Sequence, residues 1–440
     1  MSSTSRRLTA AEAATRLGIQ RASLYSYVSR GIIGRTVADD GMSSTFDAAE
    51  VEALTRRRRG RPPLGTVDVV LTTSITRISD EGVWYRGRPL AEIAGTWTFE
   101  RTAEWLWTGD DPGPVHWPAA SRPQGRRPTQ PRHGSAAAEM LLTVASLERI
   151  GSPWRRVLST GAFSEDQAND DLRAVGRQVA AALAAAAGPG AGSGPDSGRS
   201  SGGSHRPGQG SPSGRVDPPL PATGLADVPP GGVGARMAES LGVPHLSSTV
   251  DLILVLLADH ELASSTLSAR IAASTRADGY GVIGAGLGTL AGVLHGGVTR
   301  HSVELIEEVA STGDADAVIA GRLEAREHIP GFGHAVYRAT DPRARLLFEH
   351  MRSVGLPPER LDPAEAVVKA AAGRLTVHPN LDLALAAFVH AAGLEADAAE
   401  WLFATARTAG WIAHAIEEYA ERPVRFRPRS VYLPTCLAGS

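Results

Sequence analysis

The sequence predicts a mainly α protein: a large helical body, with a small winged helix-turn-helix in front of it. Three observations predict this. Apolar residues recur at helical spacing in FERTAEWLW, AAAEMLLTVASLERI, DDLRAVGRQVAAALAAAA and nearly all of 233–440. A helix-start signature stands close to the N-terminus. Strand-like stretches are short and confined to a wing and one hairpin. The 440 residues exceed one ordinary domain, and an apolar share of 42% suffices for a large core.

Thr9-Ala-Ala-Glu12 is a capping box, in which hydroxyl and carboxylate each satisfy a free amide at a helix start. Leu17-Gly18 ends this first helix, and 20–30 reads as a second helix exposing Arg21, Ser23, Tyr25 and Ser26. A β wing and a third helix running into Arg56–Arg59 follow. Residues 1–61 carry eleven arginines against six acidic residues, so this module is basic in a chain of formal net charge -2. The stretch LTAAEAATRLGIQRASLYSYVSRGII resembles the small winged helix-turn-helix domains of MerR and excisionase type. That resemblance implies a second helix in a DNA major groove with basic residues on phosphates, and an affinity that falls steeply with salt. The alternative is a solvated arginine run.

Arg61-Pro62-Pro63 closes the module, and a new domain starts near Leu64. Around the acidic-Gly turn of ISDEGVWYRG, residues 78–87 read as a small hairpin. Helices follow to 187. Residues 188–232 are rich in Gly, Ser and Pro and have almost no apolar side chains to offset the entropy of ordering, so they read as a disordered insertion. The lone Cys436 excludes a disulfide framework and fits a reducing cytoplasm. No apolar run approaches the roughly 20 residues that span a bilayer.

Within the helical part, polar residues cluster where a core does not need them. His295 in LHGG and His334 in PGFGHAVYR lie in glycine-rich turns, which let a backbone approach a small molecule closely. Asp382 follows in HPNLD, where it also reads as an N-cap, since a helical run begins there. ISDEGVWYRG, ADHELASST, GVLHGGV, IPGFGHAVYRATDPRA, HPNLD, FATARTAGWIAHAIEE and RFRPRSVY together resemble citrate synthase, from about 67 to 432 apart from the insertion.

The resemblance implies a citrate synthase-like fold: a large helical domain (64–187, 233–296 and 391–440) and a small helical domain (297–390), with the site in the cleft. It implies Asp382 as the base that takes a proton from the methyl of acetyl-CoA, His295 as the donor that stabilises the enol, and His334 as the donor to the ketone of oxaloacetate. His260, Arg343, Arg407 and Arg427 would hold carboxylates, and Arg338 a phosphate of CoA. Arginine suits carboxylates because its planar fork binds them in two-pronged fashion. Arg427 is where the family reaches into a partner subunit, which implies a homodimer; Arg425 and Arg429 read as surface ion pairs. No metal or redox cofactor is implied. Three departures stand out. Ala263 replaces a common Asn, Val298-Thr299 a common Ala-Asn, and LDLALAA a common VDFYSG. They leave the reaction class intact but bear on the keto acid, the acyl length (propionyl-CoA in a 2-methylcitrate synthase) and rate. With the basic module in front, a DNA-binding metabolite sensor is the rival from another class.

Overall fold

The computed structural model describes residues 7–17, 33–37, 44–48, 51, 69–79, 82–117, 136–148, 164–187 and 229–428, except 335, 338, 339 and 355. The chain divides into two compact units, Met1–Thr72 and Thr73–Ser440.

In the first unit, β1 (Arg7–Thr9) leads into α1 (Ala10–Leu17), and β2 (Thr36–Val37) and β3 (Ser44–Asp47) complete an antiparallel sheet of order β1-β3-β2. The capping box forms. The Thr9 amide donates to Glu12 Oε2 at 2.8 Å, and the Glu12 amide to Thr9 Oγ1 at 3.3 Å. Leu8, Ala13, Ala14, Ile33, Phe46 and Val51 make a small core of their own. The second helix expected at 20–30 and the Arg56–Arg59 run lie outside the described residues.

The second unit starts with a hairpin, β4 (Thr76–Ser79) and β5 (Gly82–Tyr85), extended by β6 (Arg88–Pro89). Its first helices are α2 (Leu90–Ile93), α3 (Phe99–Thr108), α4 (Ala136–Glu148) and α5 (Glu165–Ala186). Most of the insertion expected at 188–232 lies outside the described residues. Gly232 is the N-cap of α6 (Val233–Ser240), and α7 (Ser247–Leu257), α8 (Ser264–Ser274) and α9 (Gly279–Leu290) follow. Then come α10 (Gly297–Thr312), α11 (Ala315–Glu324), α12 (Pro342–Ser353), α13 (Pro358–Ala372), α14 (Leu381–Ala391) and α15 (Ala398–Tyr419).

Two packing groups position the site. The long α15 packs against α3, α5, α7, α8 and α9, while α10 to α14 pack mainly on one another. Helix α7 ends in the unbroken apolar run Leu252–Leu257, which belongs in the interior; every residue from Thr249 to Leu257 is buried, Asp251 among them with the Phe99 amide donating to its Oδ2 at 3.1 Å. Helix α15 lies as deep because its small residues admit neighbours. A Cβ at Gly286 of α9 would stand 2.6 Å from the Trp411 ring, and one at Gly410 would stand 2.3 Å from Asp259 Oδ1. The second glycine lets its amide reach the Ala258 carbonyl at 2.9 Å. That contact brings α15 against the turn that carries His260.

Candidate active site

The Asp259-His260-Glu261 turn is held from three sides. From the hairpin, Thr76 Oγ1 donates to Asp259 Oδ2 at 2.6 Å and the Ile78 amide to Glu261 Oε1 at 3.0 Å. The buried Tyr85 hydroxyl donates to the Asp259 carbonyl at 3.0 Å. From α15, His414 Nε2 lies 3.4 Å from Asp259 Oδ2. The turn needs this support, since Glu261 sits at φ 52, a left-handed conformation unfavourable for a side chain with a Cβ. Held in this way, His260 Nε2 lies 3.0 Å from the Tyr337 hydroxyl, and its ring stands edge-on to His334 with centroids 4.9 Å apart.

His334 comes from a loop joined to the HPNLD motif through backbone. Phe332 and Pro379 form an antiparallel bridge, the Gly333 amide donates to the His378 carbonyl at 2.8 Å, and the Asn380 amide to the Gly331 carbonyl at 3.0 Å. Gly331 is required here: its φ is +81, and a Cβ would meet that of Leu383 at 2.7 Å. Asn380 adds side-chain bonds, donating from Nδ2 to the Gly333 carbonyl at 2.9 Å while Oδ1 accepts from the Asp382 amide at 3.0 Å. Asn380 is therefore the N-cap of α14, and Asp382 is the second helical residue, not the cap that the sequence allowed. The base candidate is free of capping duty because its neighbour performs it.

His334 Nδ1 accepts from the Val336 amide at 3.0 Å. In the neutral ring this places the proton on Nε2, so His334 can donate a hydrogen bond. His295 Nε2 lies 2.9 Å from the hydroxyl of the fully buried Ser265, on the second residue of α8. Ala263, where the sequence lacks the common Asn, leaves α8 without a side-chain cap. Asp382 Oδ1 accepts from Thr299 Oγ1 at 2.6 Å.

Two buried arginines complete the set. Arg343 grips Asp341 in two-pronged fashion, Nε to Oδ1 at 3.1 Å and Nη2 to Oδ2 at 2.7 Å. Arg407 donates from Nε to the Leu257 carbonyl at 2.9 Å and lies over the Phe403 ring at 4.6 Å. Its two terminal nitrogens make no hydrogen bond among the described residues. A buried guanidinium with open donors is a receptor for an anion.

The electrostatics agree. Burial, and then the charges of Arg343 and Arg407, hold His260 well below its usual range. Burial brings His295 down to about 4 and also lowers His334, which Arg343 lowers further. All three imidazoles are neutral at pH 7. Burial also brings Arg407 down to about 10, which leaves it charged. The Asp382 carboxyl is pushed up, mainly by burial, against the hydrogen bond from Thr299. The result is a buried site with neutral imidazoles, one guanidinium with open donors and one carboxylate of raised basicity, a set able to take a proton from a weak carbon acid and to steady the charge that forms.

Of the residues singled out in the sequence, His260, His334 and Arg343 share ring contacts with Tyr337, while His295 and Arg407 both meet Phe403. Arg427 is exposed on the segment after α15, and Arg338 lies outside the described residues. Arg425 is no ordinary surface pair: it grips the fully buried Glu418 at 2.7 and 2.6 Å, and Glu418 also receives Arg270 Nε at 3.0 Å. Arg429 lies outside the described residues. Tyr337, Ser265, Asn380 and Phe403 were not among the expected site residues. Their signals were weak, a Tyr three residues after His334 and a Ser five after His260, because hydroxyls and rings recur throughout any helical chain.

Residues 232–429 match the family model described as the citrate synthase C-terminal domain. The citrate synthase of Acidithiobacillus ferridurans is 38% identical over 197 residues, 43% of this chain and 51% of that protein. The 2-methylcitrate synthase of Shewanella oneidensis is 32% identical over 190 residues, 42% and 50% of the two chains. The chain thus spans about half the length of the curated relatives it matches. By structure, citrate synthase from Thermotoga maritima superposes with a TM-score of 0.60 at 22% identity, covering 84% of this chain and 95% of the other. A ternary complex of Thermoplasma acidophilum citrate synthase with carboxymethyl coenzyme A and oxaloacetate gives 0.61 at 20% identity, covering 83% and 94%. The fold is that of the citrate synthases, and residues 232–429 are similar to that family's C-terminal domain.

Proposed function

We propose that the protein condenses acetyl-CoA with oxaloacetate and hydrolyses the citryl thioester to citrate and CoA. The observation that carries this reading is the set of three neutral histidines, two buried arginines and the Thr299-bound Asp382. Asp382 takes a proton from the acetyl methyl, the C–H electron pair becomes the enol double bond, and His295 donates a hydrogen bond to the thioester oxygen as charge builds there. His334, with its proton on Nε2, polarises the ketone. His260, Arg343 and Arg407 hold the keto-acid carboxylates. Arg338 would meet a CoA phosphate. The helices of 297–390 form the smaller domain, whose closure excludes water from the enol.

In this reading Arg427 serves the site of a second copy in a homodimer, supported by its exposure and by the Arg425–Glu418 grip that anchors its segment. Residues 1–61 add a DNA-binding module, a reading supported by the arginine excess and the capped helix beside a three-stranded sheet; DNA affinity without salt dependence would refute it. A purely sensory body would need the arginines but not the base. A cytoplasmic setting fits the lone cysteine; no helix among the described residues is long and apolar enough to cross a membrane.

A steady-state assay of the purified protein with acetyl-CoA and propionyl-CoA tests the reaction. The Shewanella relative makes propionyl-CoA the second donor to compare, although one extra methylene changes preference only modestly, roughly 10- to 200-fold. Asp382→Ala should abolish condensation while oxaloacetate still binds. Full activity in that variant overturns the assignment.

A further inference from the structure

We infer that Thr299 is a positioning residue for the base: its hydroxyl fixes Asp382 Oδ1 and thereby leaves Oδ2 as the oxygen that takes the acyl proton. The inference rests on the condensation reading above and adds a residue to it. Thr299 is 2% exposed, in the first turn of α10, four residues after His295. Its Oγ1 lies 2.6 Å from Asp382 Oδ1, the range of a hydrogen bond to an ionised carboxylate. A helical Thr hydroxyl ordinarily folds back onto a carbonyl of the preceding turn, and among the described residues this one does not. Asp382 Oδ2 accepts no hydrogen bond among the described residues. The aspartate is also fixed from behind, through its amide to Asn380 Oδ1 at 3.0 Å. With both its main chain and one oxygen held, only the other oxygen faces a substrate.

Thr299 therefore replaces the common Asn with a group that can donate a single hydrogen bond and no more, and the start of α10 joins the two halves of the proton transfer. The same short stretch presents His295 to the thioester oxygen and Thr299 to the base. The helices packed on α14 contribute as follows. Helix α12 brings Arg343 and the adjoining Asp341, α15 brings Arg407, and α10 brings Thr299. Helix α13 buries only the apolar Leu361, Ala364, Val367, Ala370 and Ala371. Of the groups that favour the ionised carboxylate, Thr299 is the one that bonds it directly.

The test compares Thr299→Val, which keeps the shape and removes the donor, with Thr299→Ser, which keeps the donor. In T299V the acid limb of kcat/KM for the acyl thioester should move up by about one pH unit, because a hydrogen bond to a charged group favours its ionised form by that order. The KM for the keto acid should stay unchanged, and T299S should keep the wild-type limb. A T299V profile that superimposes on wild type, or a T299S profile that shifts equally, overturns the inference. An infrared titration of the Asp382 carboxyl, assigned by the band lost in Asp382→Asn, reads the same shift without turnover. If wild type turns over neither thioester, the reaction falls, and an unchanged infrared midpoint in T299V overturns the positioning role independently.

Discussion

His334 and His295 both sit in glycine-flanked turns, but they are secured in different ways. The His334 loop is joined to the HPNLD segment by a bridge at Phe332 and Pro379, by main-chain bonds at Gly331 and Gly333, and by Asn380 Nδ2, which donates to the Gly333 carbonyl while its Oδ1 caps the helix behind. The His295 turn closes on its own backbone, His295 to Gly292 and Gly296 to Leu290, each at 2.9 Å, and its imidazole leans on one hydroxyl, Ser265. Beside it Val293 is 72% and Leu294 92% exposed. The first histidine is part of the packed structure, and disturbing it should disturb folding. The second is set by a single side-chain hydrogen bond and the edge of the Phe403 ring, and removing that hydrogen bond should alter chemistry with little cost in stability.

The sharpest way to break this contrast is Gly331→Ala, which adds a Cβ at φ +81 and 2.7 Å from the Leu383 Cβ. Strain and overpacking together predict a loss of roughly 2–5 kcal/mol in urea unfolding, with activity falling in parallel. Asn380→Ala removes the cap of α14 and the stitch to Gly333; about 1–2 kcal/mol of stability should go, and kcat should drop at least tenfold as Asp382 and His334 lose register. Ser265→Ala should lower kcat about tenfold while the unfolding midpoint moves little. A large midpoint shift there, or an unchanged one in Asn380→Ala, would contradict the contrast.

The smallest effect concerns pH. His295 binds its proton near 4 when folded against 6.5 as a free side chain, so between those values the unfolded chain holds more protons. Stability should therefore decline as pH falls from about 6.5 toward 4. His295→Gln should reduce that slope by up to about one proton. His350, brought to about 4 by burial and 2.9 Å from Thr249 Oγ1, should add a second such contribution and supplies an internal control outside the site. Unfolding curves at several pH values measure both.

Much of this organisation was legible in the order of residues. The capping box at Thr9, the hairpin around the acidic-Gly turn and the helices carrying the FATAR and HPNLD motifs all formed, because local capping, turn chemistry and a 3.6-residue apolar period act over short distances. The hairpin's task was not legible: its Thr76 and Ile78 reach residues 183 positions away to hold Asp259 and Glu261. Nor could spacing separate the two roles of Asn380 and Asp382, since both residue types favour a helix start and only geometry shows which one caps.

By itself the sequence determined the mainly helical class, the glycines that permit the tight turns and the imidazoles, guanidiniums and carboxylate available for chemistry. The tertiary structure decided their states. Burial makes the histidines neutral and raises the Asp382 carboxyl, and long-range packing brings Tyr337 to His260, Ser265 to His295 and Thr299 to Asp382. Side-chain type is a local property, whereas desolvation and hydrogen-bond partnership depend on everything the fold places around the group.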